Sequence, residues 1–471
     1  MPAHLAPPSV EEGAPVEQGT FAPEGETAPR SAYRVERGFP WLLVGGALVL
    51  LAWATYRLLA LIVGGAPVLW VYLVCIGMLA TQLLVAAFDR PRRAHGRHIA
   101  RLEHAKVAVL APVYNEDETV LRDALASLLR QTRPPDAVCV VDDGSTSGDY
   151  ARVRDWFTVA GPAAGVAVTW QRQANAGKRH AQVAGARTCP DADLYVTIDS
   201  DTQLDPRAIA ESLEPFADPK VQSVAGTVLV TNYDTNLMTR LQESWFASMQ
   251  MVDRAFLSRL GSVLVNSGAL ATVRASVLWD NVDDYLGERL FGRPVMTSDD
   301  SLLTLYAQRA GRTVHQSSAF AFTQMPSTLG GHRRQQLRWM RGAFLRSGTR
   351  FEQLRVGSVG YWYHLGRWVQ YAAATAVCVL LACSGALLRP GVWLMTALVV
   401  GAAQLLLAAP YLSVRRSDQS ARQRWAVVAC APLVGWWRVT FLRVLRWYAM
   451  ATFADVAWGT RKTVEVTGRR P

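Results

Sequence analysis

The sequence predicts an α/β domain inserted between N-terminal and C-terminal transmembrane helices. Three observations predict it. Apolar runs long enough to cross a bilayer lie toward both ends of a 471-residue chain that is 50% hydrophobic. Short apolar runs alternate with helical stretches through the middle, as they do in sheets covered on both faces. Polar motifs fall where those short runs end, and that edge is where α/β sheets bind ligands. The length leaves room for one large domain beside a membrane part.

Residues 1–37 are rich in Pro, Ala, Glu and Gly and lack apolar periodicity. Such a composition cannot bury enough surface to offset ordering entropy, so a disordered tail is expected. Residues 38–90 carry two transmembrane helices. The first run, 40–63, is interrupted only by Tyr56 and Arg57, and the second covers 67–88. Each has about 22 residues, enough for roughly 30 Å of hydrocarbon. A polar beginning followed by two successive runs argues against a cleaved signal peptide.

Residues 100–330 form the α/β domain. Strands are expected at 107–111, 137–141, 166–170 and 194–198, with helices at 118–131 and 180–186 between them. The first strand ends at Asn115-Glu116 and the second at Asp142-Asp143-Gly144-Ser145. The third leads to Asn175-Ala176-Gly177-Lys178-Arg179, and the fourth ends at Asp199-Ser200-Asp201. Asp191-Ala192-Asp193 has the same D-x-D spacing but precedes its strand. It therefore belongs to the opposite edge, as a solvated turn.

Carboxylates two residues apart at a strand end can give hard oxygen ligands to Mg²⁺ or Mn²⁺ that a diphosphate also holds, which makes Asp199 and Asp201 the candidate metal pair. Asp142 and Asp143 could form a plain turn, or accept a uracil N3–H. Lys178 and Arg179 could be a surface pair, but Gly177 would let the backbone approach a phosphate closely. Asp300, in Ser298-Asp299-Asp300, opens an amphipathic helix and could be only a first-turn acid. It is also the acid placed to act as general base.

Residues 331–366 read as interfacial helices carrying Gln335-Gln336-Leu337-Arg338-Trp339, the pattern Q-x-x-R-W. Trp339 could be an interfacial anchor, although indoles also stack on sugar rings. An acid pair, a lone acid and then a cation beside an indole is the order needed to move a sugar from a nucleotide diphosphate to a hydroxyl. Two more spans fall within 367–414. The stretch 425–455 contains Arg438, Arg443 and Arg446, which are costly in hydrocarbon, so a re-entrant or interfacial segment is expected there. Residues 456–471 form a cytoplasmic tail.

The net charge of +11 is gathered largely around these segments: Arg90, Arg92, Arg93 and Arg97, then Arg346, Arg350, Arg355 and Arg367, then Arg415, Arg416, Arg422 and Arg424. It is expected to report a cytoplasmic orientation and contact with membrane lipids. No basic patch interleaved with aromatics marks the soluble part, so nucleic acid is not an expected partner. The six cysteines include no C-x-x-C pair, and neither a disulfide framework nor a zinc site is expected.

Together these residues resemble the processive membrane-bound family 2 glycosyltransferases (cellulose, chitin and hyaluronan synthases), and hyaluronan synthases most closely. The likeness is carried by Asn175 to Gln182, Asp199-Ser200-Asp201-Thr202, Asn266-Ser267-Gly268-Ala269-Leu270 and Ser298-Asp299-Asp300. It continues through Q-x-x-R-W to Trp458-Gly459-Thr460-Arg461. The resemblance implies a GT-A-like (Rossmann-like) domain and an inverting, metal-dependent hexosyltransferase of the plasma membrane. It would polymerise UDP-GlcNAc and UDP-glucuronate and pass the growing polysaccharide outward. Asp142, Asp143, Lys178, Arg179, Asp199, Gln335, Arg338, Trp339 and Arg461 would bind substrate. The family usually has Gly-Asp-Asp at Ser298-Asp299-Asp300 and Cys-Ser-Gly-Pro at Asn266-Ser267-Gly268-Ala269. The second departure lies near the acceptor and bears on sugar identity, which keeps a chitin- or cellulose-like homopolymer synthase as an alternative. A single-transfer enzyme acting on a lipid-linked acceptor and a non-enzymatic membrane scaffold are the more distant readings.

Overall fold

The computed structural model of the chain describes residues 29–35, 40–62, 66–96, 99 and 102–454. Most of the expected N-terminal tail and the motif at 458–461 fall outside these residues. The strands in chain order are β1 (Ala32–Arg34), β2 (Val107–Val113), β3 (Ala137–Asp142), β4 (Ala167–Arg172), β5 (Leu194–Thr197) and β6 (Gln203–Leu204). They continue with β7 (Val221–Val230), β8 (Ala271–Arg274), β9 (Arg289–Leu290), β10 (Arg293–Pro294), β11 (Arg312–Thr323) and β12 (Val414–Arg416).

Eight of these form one sheet in the order β4-β3-β2-β5-β8-β7-β11-β6. All seven residues of β2 are buried, which is why its apolar run does not alternate. Helices cover both faces. Leu121, Leu125 and Phe157, from helices Glu118–Leu129 and Ala151–Ala163, pack on one face. Val183, Leu302 and Tyr306, from helices Lys178–Arg187 and Asp299–Ala310, pack on the other. Burying each such side chain contributes about 1.5–3 kcal/mol. Asp117 caps the first of these helices, accepting from Thr119 N at 2.9 Å and Val120 N at 3.2 Å.

The sheet is mixed, with parallel pairings in the majority. β4, β3, β2 and β5 run parallel, as do β7 and β11, but β8 is antiparallel to both of its neighbours. The reason lies in the chain path. The segment before β8, Asn266 to Leu270, passes beside Asp199 at the carboxyl edge of the sheet. A strand starting there must run back across the sheet.

Among the described residues, four stretches are long and apolar enough to cross a membrane: Trp41–Ile62, Val359–Cys383, Pro390–Ser413 and Ala421–Ala451. A further helix covers Ala66–Ala87. The last stretch is broken into helices Ala421–Ala429, Ala431–Val439 and Phe441–Ala451. Its arginines find partners inside the helix bundle: Arg438 donates to Gln404 at 2.7 Å and Arg443 to Thr375 at 2.6 Å. Both ends of the stretch rest near the α/β domain. Val428 joins a cluster with Tyr233 and Phe322 at one end, and Thr452 accepts from Arg341 at the other.

Two expectations need correction. The tail is not structureless up to residue 37, because β1 pairs antiparallel with β12 and Ala32 N donates to Asp205 at 2.9 Å. Three residues suffice when a partner strand satisfies their backbone. Several arginines assigned to lipid contact are instead internal. Arg346, Arg350, Arg416 and Arg424 are buried. Arg416 lies 2.7 Å from the fully buried Glu243 and also pairs with Asp418 at 2.8 Å.

Candidate active site

Four loops meet at the carboxyl edge of β2 to β5 and interlock through side chains. Asn115, held at φ 48°, accepts from Thr146 N at 2.8 Å and Ser147 N at 3.1 Å. Ser200 donates to Glu116 at 2.7 Å. Asp143 accepts from Ala176 N at 3.0 Å, Gly177 N at 2.8 Å and Gln173 at 2.6 Å. Both of its oxygens therefore hold the next loop, a positioning role that displaces the expected contact with a base. Asp142 differs. Its Oδ1 accepts from Ser145 N at 2.9 Å, while its buried Oδ2 has no hydrogen-bond donor among the described residues and faces Arg172 at 3.4 Å. Gly177 adopts φ 95°, and a Cβ there would lie 2.9 Å from Met296. Its close approach is thus to protein.

Lys178 is the hinge of the site. Its Nζ lies 2.6 Å from Asp199 and 3.1 Å from Asp299. The sequence points this lysine at a phosphate, and it instead joins the D-x-D loop to the Ser298-Asp299-Asp300 turn. Burial pulls its pKa down, but Asp199, Asp299 and Asp300 outweigh burial and raise it. Gly268 completes the packing, since a Cβ there would lie 2.8 Å from Nζ and 3.3 Å from Asp199. Burial raises the Asp299 carboxyl, yet Lys178 and Arg179 overcome it and hold it below the usual range. Asp300 goes the other way: burial, then the Asp299 charge beside it, push it up to about 6. Neighbouring acids with pKa values driven apart are the pattern of acid–base sites.

Arg179 is the clearest misassignment. Its side chain is buried, lies 2.7 Å from Glu288, and donates to Thr297 O at 2.6 Å and Tyr285 O at 3.2 Å. Arg346 holds the other side of Glu288 at 2.8 and 3.0 Å. Burial raises the Glu288 carboxyl, but these two guanidiniums win and lower it. Glu288 thus ties the start of helix Lys178–Arg187 to helix Leu329–Gln353. It carries no motif of its own, and nothing in the sequence marks it.

Helix Leu329–Gln353 brings Q-x-x-R-W to the site. Thr328 caps it, accepting from Gly331 N at 3.2 Å. Gln335, Arg338 and Trp339, spaced i, i+3 and i+4, share one face. Trp339 stacks on Phe246 with centroids 6.0 Å apart and 18° between planes. Gln335 donates to Met325 Sδ at 3.6 Å and leaves its buried Oε1 without a donor among the described residues. Ser298 sits at φ 62°, and a Cβ on Gly342 would lie 3.1 Å from its Cβ. The helix therefore packs directly on the turn that carries Asp299 and Asp300. Arg461 falls outside the described residues. The described chain ends nearby, with Phe453 against Phe344 at 5.1 Å and against Phe291, at the tip of the β9–β10 hairpin, at 6.2 Å.

No group of three or more His, Cys, Asp or Glu side chains among the described residues could hold a metal unaided. Asp199 and Asp201 alone are too few for a bare ion. They fit one whose remaining ligands are water and ligand oxygens, the usual way Mg²⁺ is bound beside phosphates. Asp199 is engaged by Lys178, and Asp201 accepts from the Thr323 hydroxyl at 3.3 Å. Asp191, at the far edge, pairs with Lys106 and is exposed.

The sequence also matches known proteins. A family model described as "Glycosyltransferase like family 2" matches residues 104–342. Hyaluronan synthase of Streptococcus pyogenes is 31% identical over 362 residues, which cover 77% of this chain and 84% of that protein. An N-acetylglucosaminyltransferase of Mesorhizobium japonicum is 36% identical over 254 residues, 53% of this chain and 58% of that protein. A mannosyltransferase from Pyrobaculum calidifontis, solved with GDP-Man and Mn²⁺, superposes with a TM-score of 0.46 at 18% identity. That alignment covers 78% of this chain and 97% of the other.

Proposed function

The chain belongs to glycosyltransferase family 2, and on that premise we propose that it is an inverting, processive synthase. It polymerises UDP-GlcNAc and UDP-glucuronate into a β-linked, hyaluronan-like polysaccharide. The observation that carries this reading is the packing of the Q-x-x-R-W helix on the turn bearing Asp299 and Asp300, with Lys178 joining that turn to Asp199. The turn that bears the base is thereby tied to both the D-x-D loop and the Q-x-x-R-W helix.

Asp142 accepts the uracil N3–H. Asp199 and Asp201 would hold Mg²⁺ or Mn²⁺, which when bound would offset charge growing on the leaving phosphate. Asp300 takes the proton of the acceptor hydroxyl while that oxygen bonds to the anomeric carbon. The bond to UDP breaks on the opposite side of the sugar, and its electron pair leaves with the diphosphate. Arg338 faces that diphosphate, with Gln335 beside it. Trp339, steadied by Phe246, carries the acceptor ring.

The helices support a path outward through a membrane. β1 precedes the Trp41–Ile62 helix and pairs with β12, which follows the Pro390–Ser413 span. Chain entering the Trp41–Ile62 span and chain leaving the Pro390–Ser413 span therefore lie together against the catalytic domain. Four crossings, counting Ala66–Ala87 and with 421–451 re-entrant, are compatible with that arrangement, and on this reading the domain is cytoplasmic in a plasma-membrane protein. On the same reading Arg461, which lies outside the described residues, would bind the diphosphate.

A homopolymer of N-acetylglucosamine is the second reading, favoured by the 36% identity to an N-acetylglucosaminyltransferase. UDP release by the purified full chain tests the proposal. Release should need a divalent ion and rise sharply when both UDP-sugars are present. No release from either sugar, or release undiminished by Asp300→Asn, would overturn it.

A further inference from the structure

Away from the transferase centre lies a cavity of about 350 Å³ that the reaction does not use. Its charged wall is made by Arg34, Asp89, Arg90, Arg93, Arg207 and Glu211, with Tyr33 beside them. Three parts of the chain contribute. Arg34 comes from β1, the residues near 90 follow the Ala66–Ala87 helix, and Arg207 with Glu211 belongs to the start of the Ala208–Leu213 helix. Four guanidiniums face two carboxylates. Arg34 and Asp89 pair at 3.3 Å, and Arg93 and Glu211 at 2.7 Å, so both acids are taken. Arg90 donates to the carbonyls of Ala87 at 3.4 Å and Asp89 at 3.1 Å. The exposed Arg207 guanidinium makes no hydrogen bond or salt bridge among the described residues, although its charge is felt by Asp205 two residues before it. The cavity therefore holds two cationic heads that no carboxylate grips, and a concave cationic wall concentrates anions.

Its position narrows the choice of anion. Trp41 and Phe88 lie 6.1 Å apart, so the first helix begins beside the point where the second ends. Arg90 comes two residues after Phe88. The cavity thus opens at the level where both helices would leave hydrocarbon, the level of lipid phosphates. We propose that it binds the phosphate ester of an anionic phospholipid headgroup. Arg90 and Arg207 supply the charge-assisted contacts. The bound headgroup joins β1, the segment after the second helix and the catalytic domain into one unit. Free phosphate shares this chemistry but has no reason to favour the membrane level.

The test uses the full chain in detergent and follows its thermal unfolding midpoint against added ligand. Dihexanoyl phosphatidylglycerol should raise the midpoint saturably, whereas dihexanoyl phosphatidylcholine should act only weakly. Arg207→Glu should raise the half-saturating concentration of phosphatidylglycerol about tenfold, from the loss of near-surface cation attraction. Arg152→Glu makes the same charge change at an exposed position on helix Ala151–Ala163, and it should leave the concentration unchanged. Equal effects of the two substitutions, or no response to phosphatidylglycerol, would overturn the site. Inorganic phosphate matching phosphatidylglycerol would keep the site and overturn the lipid as its source.

Discussion

Lys178 reaches Asp199 at 2.6 Å across 21 residues of sequence, and this contact ties the D-x-D loop to the helix that follows β4. Asp201, on the same loop, accepts from the hydroxyls of Thr202 and Thr323 at 3.4 and 3.3 Å. On the metal reading, Asp199 shares its charge between the ion and Lys178. Asp201→Asn should abolish transfer and weaken UDP binding in Mn²⁺ or Mg²⁺. Asp191→Asn should leave transfer and UDP binding nearly unchanged, because its pair with Lys106 is exposed and lies at the far edge of the sheet. Titration calorimetry with UDP and metal checks both, and equal losses would refute the choice of acids.

Asp300 acts on the acceptor, so removing it should separate chemistry from donor binding. Asp300→Asn should lower kcat by about 100-fold or more while UDP affinity stays within about threefold. The sign of the pH dependence follows from a carboxyl pushed up to about 6. The base must be ionised, so turnover should fall as pH drops through that region and level off above it. Turnover at the wild-type rate in Asp300→Asn would remove the residue from the mechanism.

The front of the sheet was legible in the sequence because continuous apolar runs ending in polar loops fit little besides buried parallel strands. β7, β8 and β11 were not, since their connections return through the site and nothing local marks the reversal. The same limit applies to Lys178 and Arg179. Successive helical residues point about 100° apart, so when one meets the catalytic edge the other turns inward. The sequence cannot say which, because the partner that draws Arg179 inward, Glu288, lies 109 residues away. Gln335, Arg338 and Trp339 were readable as a unit because their spacing alone puts them on one face.

The inward Arg179 leads to a stability prediction. Glu288→Ala leaves the buried guanidiniums of Arg179 and Arg346 without their carboxylate. Breaking a buried pair in this way costs about 3–5 kcal/mol. Thermal unfolding in detergent should show a large drop for Glu288→Ala. Arg179→Ala should likewise destabilise the chain, while UDP affinity measured below the transition stays close to wild type. An unchanged unfolding midpoint with weakened UDP binding would return Arg179 to the phosphate site.

The tail is the boldest placement. Arg341 Nε donates to Thr452 at 3.1 Å, three residues beyond Arg338 on the same helix. From Ala454 an extended chain of seven residues reaches about 23–25 Å. Arg461→Ala should therefore cut turnover sharply without releasing the protein from membranes, and deletion of 463–471 should be tolerated. An Arg461→Cys variant whose new thiol reacts only from the outer face of sealed vesicles would contradict both the placement and the four-span arrangement.

The central claim is polymerisation of two alternating sugars at one site, and the mass spectrum of the product tests it most directly. Purified chain given UDP-GlcNAc and UDP-glucuronate together with Mn²⁺ or Mg²⁺ should yield a ladder spaced by one N-acetylhexosamine–hexuronate disaccharide, and no long product from either donor alone. A ladder of single N-acetylhexosamine steps from UDP-GlcNAc alone would contradict the alternating polymer, and a product limited to one added sugar would contradict processive synthesis altogether.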